Sequence, residues 1–318
     1  VVEEAAQMTD TSTTRPPSQR FTEVVGLVTD EVSGSHFRGH LTLGPKHHTP
    51  WGIINGGVYT TVVENAAAIG ASAAVARHGR HAEVVCHSTD LLRSRTRGRA
   101  EVLAEPEHQG RTQQLWTVSV LDEHSKRLAR GQARLHNVDT SATPSEKDSP
   151  NDSGEPPWPQ PPARRSSGTR PVSPCSPGTE FHDLSLNAAS EFAMVLGVKF
   201  DEVLPDRVRA HIELGRQHHD QLGRIRGGVY SSVVERAASV GASRAVAHRD
   251  HFAVGTHNST DVFANRAEGR ATVLAEPIHQ EKTQQVWTVS VRSEADLVLL
   301  SHGQLRLHNL PKHRAGHD

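Results

Sequence analysis

Hydrophobic and polar positions along the chain run through the same pattern twice. From Thr22 to Leu43 the apolar residues Val24, Leu27, Phe37, Leu41 and Leu43 are spaced for short strands, and Pro45 to Pro50 make a connecting loop. Val58, Val62, Ala66, Ile69 and Ala73 then recur at helical spacing, which predicts a helix over about 57–77 with Thr60, Glu64, Ala68 and Ser72 on another side. Glu64 is therefore expected to point away from the main core stripe. After Gly79 the alternation takes period two and predicts strands at about 82–92, 98–108, 112–122 and 127–138. Joints as short as Arg95 to Gly98, His108 to Arg111 and Asp122 to Ser125 require antiparallel neighbours. A helix of about 20 residues beside such a meander calls for a curved sheet, and its alanines and glycines permit close approach.

The pattern then returns. Ile54-Asn55-Gly56-Gly57-Val58-Tyr59 reappears 171 residues later as Ile225-Arg226-Gly227-Gly228-Val229-Tyr230. Gly56 to Ala71 matches Gly227 to Ala242 at 11 of 16 positions, and Ala104 to Val120 matches Ala275 to Val291 at 13 of 17. Two copies are too few for a solenoid, so an intramolecular pseudo-dimer is expected, in the α+β class. Residues 139–179 hold ten of the eighteen prolines along with many Ser, Asp and Glu, a linker composition. The expected organisation is a disordered lead-in over 1–20, a first domain over 21–138, a linker over 139–179, a second domain over 180–310 and a tail over 311–318. A coil of about 40 residues spans about 35 Å, enough for the copies to pair within one chain.

Composition narrows the partners. Thirty-five Lys and Arg balance 36 Asp and Glu, so no basic field argues for nucleic acid or a membrane surface, and a small molecule is the expected partner. Two cysteines make a disulfide framework unexpected and fit a reducing compartment, and the start lacks a signal pattern, so a cytoplasmic location is expected. Glu64 and Glu235 interrupt the two most apolar helices, which leaves no membrane span. Histidine is abundant, at 22 residues. Adjacent pairs such as His47-His48 and His218-His219 nevertheless face opposite sides of a strand, and no carboxylate or cysteine recurs at ligand spacing. No metal and no separate cofactor are expected.

The repeated stretch carries the chemistry. Two glycines at a helix entrance leave backbone N–H groups unshielded by any Cβ at the positive end of the helix dipole, where a carbonyl or an anion can approach. A glutamate follows about two turns later. Gly52 to Glu64, Ser88-Thr89-Asp90, Ala104 to Trp116 and Gly131 to Leu135 form a series that recurs as Gly223 to Glu235, Ser259-Thr260-Asp261, Ala275 to Trp287 and Gly303 to Leu307. That series resembles the hotdog-fold acyl-CoA thioesterases, above all the phenylacetate-pathway and 4-hydroxybenzoyl-CoA type.

The resemblance implies two tandem hotdog domains, each a long helix wrapped by a curved antiparallel sheet, with sites in the crevice between the units and an acyl-CoA thioester as substrate. It leaves a further homo-oligomer open. It also implies that the N–H at Gly56 or Gly227 polarises the thioester carbonyl and that Glu64 or Glu235 acts as nucleophile or general base. Gly56 and Glu64 are eight residues apart, about 12 Å along a helix, too far to address one carbonyl carbon. Across a two-fold, Gly56 would face Glu235 and Gly227 would face Glu64.

Where the family usually has histidine before the glycine pair, this chain has Asn55 and Arg226. An amide can donate or accept, whereas a guanidinium only donates. The hydroxyl that the family often carries one turn after the carboxylate is present as Ser239 and replaced by Ala68. A polar position six residues before the histidine slot is Thr49 in one copy and Asp220 in the other. Catalysis is accordingly expected from Glu235, Glu64, Gly56, Gly227, Asn55 and Ser239, with Thr49, Asp220, Arg226, Gly57 and Gly228 binding substrate. The half-site of Asn55, Gly56, Glu235 and Ser239 is expected to be the more competent. The alternative is a non-catalytic acyl-CoA binding or sensing protein with degenerate sites.

Overall fold

The computed structural model describes residues 20–140, 190–220, 223–264 and 266–312. Each copy is a short helix, two strands, a long helix and four further strands, the last three of which form a meander. In the first copy these are α1 (Arg20–Val25), β1 (Val28–Val32), β2 (Phe37–Leu43), α2 (Gly56–Val75), β3 (Arg80–Leu91), β4 (Gly98–Gln109), β5 (Gln113–Asp122) and β6 (Arg127–Asp139). In the second they are α3 (Glu191–Leu196), β7 (Lys199–Leu204), β8 (Arg207–Leu214), α4 (Gly227–Val246), β9 (His251–Val262), β10 (Gly269–Gln280), β11 (Gln284–Ser293) and β12 (Leu299–Pro311). β6 runs on to Asp139, the first residue of the expected linker. The rest of the linker, apart from Thr140, together with the lead-in before residue 20 and the start of the second domain before Ser190, lies outside the described residues.

The twelve strands of the described residues form one sheet in the order β1-β2-β4-β5-β6-β3-β9-β12-β11-β10-β8-β7. The copies join where β3 and β9 pair antiparallel, with Ser88 opposite Ser259. These two serines are equivalent in the repeat, so the pseudo-two-fold passes between them. Asp90 and Asp261, at the ends of the repeated Ser-Thr-Asp runs, lie in this seam, and Asp90 meets His257 of the other copy at 2.8 Å.

The helices lie antiparallel across the same axis. Thr61 Oγ1 donates to the Gly228 carbonyl at 3.1 Å, and Ser232 Oγ donates to the Gly57 carbonyl at 3.1 Å. Gly57 and Gly228 allow this approach, since a Cβ on Gly228 would stand 2.8 Å from Thr61 Cγ2 and one on Gly57 2.9 Å from Ser232 Oγ. Behind the helices, Trp116 and Trp287 are fully buried against Gly70 and Gly241. Each indole donates to a glutamine that holds a helix carbonyl, Gln114 to Ala71 and Gln285 to Ala242.

Two expectations need correction. Despite the short Arg95 to Gly98 joint, β3 and β4 are not neighbours: β4 pairs with β2 and β5, and β3 pairs with β6 and β9. Thr22 to Val25 belong to a helix, α1, rather than a strand. Phe21 packs there on Phe192 of α3, ring centroids 5.6 Å apart, so a contact between copies overrides the local strand pattern. Glu64, off the main core stripe, is buried nonetheless, against Gly227 of the other copy. Partner helix and sheet together bury α2 from Gly57 to Ala67 on every side. The paired histidines hold the fold, with His47 Nε2 against the Val24 carbonyl at 2.8 Å and His218 Nε2 against those of Val195 and Leu196 at 3.2 Å.

Candidate active site

The antiparallel helices bring each glycine pair against the other copy's glutamate. A Cβ built on Gly56 would stand 2.6 Å from Oε1 of Glu235, and one on Gly227 would stand 3.3 Å from Cγ of Glu64. Both carboxyls lie deep, at 4 % exposure for Glu64 and 5 % for Glu235. Burial pushes each from 4.5 up to about 7, because removal from water disfavours the charged form.

The half-sites differ in what opposes that rise. At Glu235 the opposing groups are the side chains of Asn258 and Ser239, and Ser239 Oγ donates to Oε1 at 3.4 Å. At Glu64 they are the Arg226 guanidinium, then the backbone N–H groups of Gly228 and Gly227, while Asp220 acts in the opposite sense. The helix entrance of the second copy thus offsets part of the rise at Glu64. Gly56 stands at the first helical position of α2, where the N–H has no intrahelical acceptor.

Local chemistry fixes the entrances. Asn55 caps α2 by accepting from the Gly57 N–H at 2.8 Å through Oδ1, so its amide oxygen is already in use and its NH₂ is the group left to donate. Arg226 makes no such cap on α4, and its Nη1 donates to Asn65 Oδ1 at 2.8 Å. Thr49 and Asp220 act alike in the loops ahead of the helices. The Trp51 N–H donates to Thr49 Oγ1 at 3.3 Å, and the Arg224 N–H donates to Asp220 Oδ1 at 3.0 Å.

Glu235 heads a cavity of about 300 Å³ in which Asn55, Gly56, Ser239 and Thr49 also take part. Its walls are mainly apolar, from Ile53, Ile54, Leu91, Val240, Ala253 and Leu310. An apolar chamber with a carboxyl near pH 7 in its wall and an open helix N-terminus beside it suits an electrophilic carbonyl carrying an apolar group.

The thioesterase superfamily model matches residues 52–129 and 222–299, one match per copy. Rv1847 of Mycobacterium tuberculosis, whose name is that of an esterase, is 37% identical over 121 residues, which make up 37% of this chain and 86% of that protein. The chain belongs to the thioesterase superfamily. Another relative, the 1,4-dihydroxy-2-naphthoyl-CoA hydrolase of Listeria monocytogenes, is 28% identical over 104 residues, 33% of this chain and 84% of that protein. Among solved structures, a hot dog fold protein of Alicyclobacillus acidocaldarius aligns over 91% of this chain and 97% of its own with a TM-score of 0.59 at 13% identity. The tesB protein of Mycobacterium avium subs paratuberculosis aligns over 92% and 98% with a TM-score of 0.57 at 14% identity. This thioesterase-superfamily chain therefore has a double hotdog fold, and no helix among the described residues is long and apolar enough to cross a membrane.

Several site residues of this superfamily member escaped sequence reasoning. Gly255 on β9 is one, because a Cβ there would stand 2.6 Å from Glu235 Oε1 and 2.9 Å from Oε2. Its repeat equivalent is Val84. Asn258, beside Glu235, corresponds to His87, which is buried against the Gly227 backbone and held neutral, its pKa pushed down to about 4 by burial. Neither His87 ring nitrogen has a hydrogen-bond partner among the described residues. Position-by-position differences within the repeat were the available signal. Arg93 also lines the cavity, while Arg95 is engaged by Asp122.

Proposed function

We propose that the chain is an acyl-CoA thioesterase whose working site combines Glu235 and Ser239 of the second copy with Asn55 and Gly56 of the first. The observation that carries this reading is the placement of Glu235 Oε1 against Gly56 at the head of an apolar cavity. The thioester carbonyl oxygen accepts from the Gly56 N–H, and its carbon is presented to Glu235. As general base, the carboxylate takes a proton from water, and the hydroxide adds to the carbonyl carbon. The resulting oxyanion is held at the helix entrance and collapses to expel the thiolate, which takes up the proton. As nucleophile, the carboxylate instead forms a mixed anhydride, and water opens it after the thiolate has left. Both routes yield a carboxylic acid and free coenzyme A, using water and the named groups with no cofactor.

The Glu64 half-site is the weaker in this reading. Its carboxyl feels the Arg226 charge and the Gly227 and Gly228 N–H groups of the helix entrance, and Ala68 supplies no hydroxyl. The test is incubation of the purified chain with a panel of acyl-CoA thioesters and detection of free thiol with a chromogenic reagent. Saturable thiol release supports the reading. Saturable binding of the same thioesters without thiol release overturns it in favour of a non-catalytic acyl-CoA binding protein.

A further inference from the structure

The cavity at Glu235 has a definable far end. α4 lines it with Glu235, Ser239 and Ser243, which follow one face at intervals of four residues, so Ser243 lies about 12 Å along the helix from the carboxylate. Ser243 Oγ accepts from the Ala253 N–H at 3.0 Å, which places β9 residues 252 and 253 at that end. Against Phe252 stands Trp51, from the loop ahead of α2 in the other copy, with ring centroids 4.7 Å apart and planes inclined at 36°. Trp51 lines the cavity, and Phe252 lies buried behind it.

The fold does not demand an aromatic wall here. In the other half-site the equivalent of Phe252 is His81 and that of Val254 is Glu83. Arg224 pairs with Glu83 and meets His81 Nε2 at 2.8 Å, so that wall is ionic. The same place in the two copies thus carries two different chemistries, one of which closes an apolar chamber.

We propose that Trp51, braced by Phe252, is the end wall of the acyl pocket and determines specificity, admitting uncharged apolar acyl groups up to the length that fits between Glu235 and the indole. This rests on the thioesterase reading for the identity of the ligand. An acyl chain with a terminal carboxylate would bring its charge against the indole face, and a longer apolar chain would meet the indole. Replacing the indole by a methyl group opens room for at least two more methylenes, each contributing enough for about a fourfold gain in affinity.

The test uses the full chain and S-alkyl-CoA thioethers of increasing alkyl length, which cannot be hydrolysed, with affinities measured by calorimetry. The parent is expected to show a sharp length limit. Trp51→Ala should move it outward by about two carbons and tighten the first excluded ligand about tenfold or more. Trp51→Leu, which retains an apolar side chain in the loop, should move the limit in the same direction by less. A limit unchanged in both variants, or an equal loss at every length, overturns the proposal. Thiol release from ordinary thioesters is measured in parallel. Hydrolysis with an unmoved limit sinks the end wall alone, whereas a moved limit without hydrolysis sinks the thioesterase reading alone.

Discussion

Gly255 leaves the space that the Glu235 carboxyl occupies. A Cβ on Gly255 would stand 2.6 Å from one carboxyl oxygen and 2.9 Å from the other. The atoms displaced are the far end of a side chain, so a substitution moves the carboxyl rather than breaking the sheet. Gly255→Val, which copies Val84 of the first repeat, is expected to lower kcat/KM by about 100-fold, since a shift of about 1 Å in a reacting group costs that much. Circular dichroism should show an intact fold. Activity within twofold of the parent would mean that the carboxyl position is not critical.

Activity should depend on pH through the same carboxyl. Glu235 works deprotonated as base or nucleophile, so kcat/KM is expected to rise with pH to a plateau with its inflection near 7. A pH–rate profile with its lower inflection near 4.5 would place the working carboxylate in water instead.

Stability should run the other way. Its pKa is about 7 in the folded protein against 4.5 as the ordinary value, so between these pH values the folded state holds a proton that the unfolded chain has lost. Stability from this group therefore falls as pH rises from about 4.5 to about 7, by at most about 3 kcal/mol. Glu235→Gln removes that loss. The variant is expected to melt higher than the parent at pH 8 and to match it near pH 4, as calorimetric Tm values at the two pH values would show.

Asn55 has a structural role as well as a place in the cavity wall. Asn55→Ala should lower stability by about 1 kcal/mol through loss of the cap on Gly57 N, and Asn55→Asp should restore it. Urea denaturation of the three proteins measures this. Equal midpoints would show that the cap contributes nothing.

The plan of a long helix and four strands in each copy was legible because such elements leave strong patterns and the 171-residue offset displays each pattern twice, whereas alternation carries no record of which strands pair, so the place of β3 beyond β6 was not. The strand expected over 98–108 is found at Gly98–Gln109 and that over 112–122 at Gln113–Asp122. Eight residues of helix between Gly56 and Glu64 were enough to suggest that a site draws on both copies, and the structure brings Gly56 to Glu235 and Gly227 to Glu64. α1 was hidden because its helix is held by Phe192 and His218 of the other copy, far away in sequence. Burial of Glu64 was hidden for a related reason, since the polar side of α2 is covered by α4. Gly255, Phe252 and Asn258 sit on a strand whose alternation reports only which face is buried, and what they touch depends on a partner helix and loop.

The most direct measurement compares kcat/KM of Glu235→Gln and Glu64→Gln on one acyl-CoA thioester that the parent hydrolyses. Loss of about 1,000-fold for Glu235→Gln, within the range general-base catalysis contributes, and less than about tenfold for Glu64→Gln is the predicted result. Equal losses in the two variants, or a larger loss at Glu64, would contradict the account.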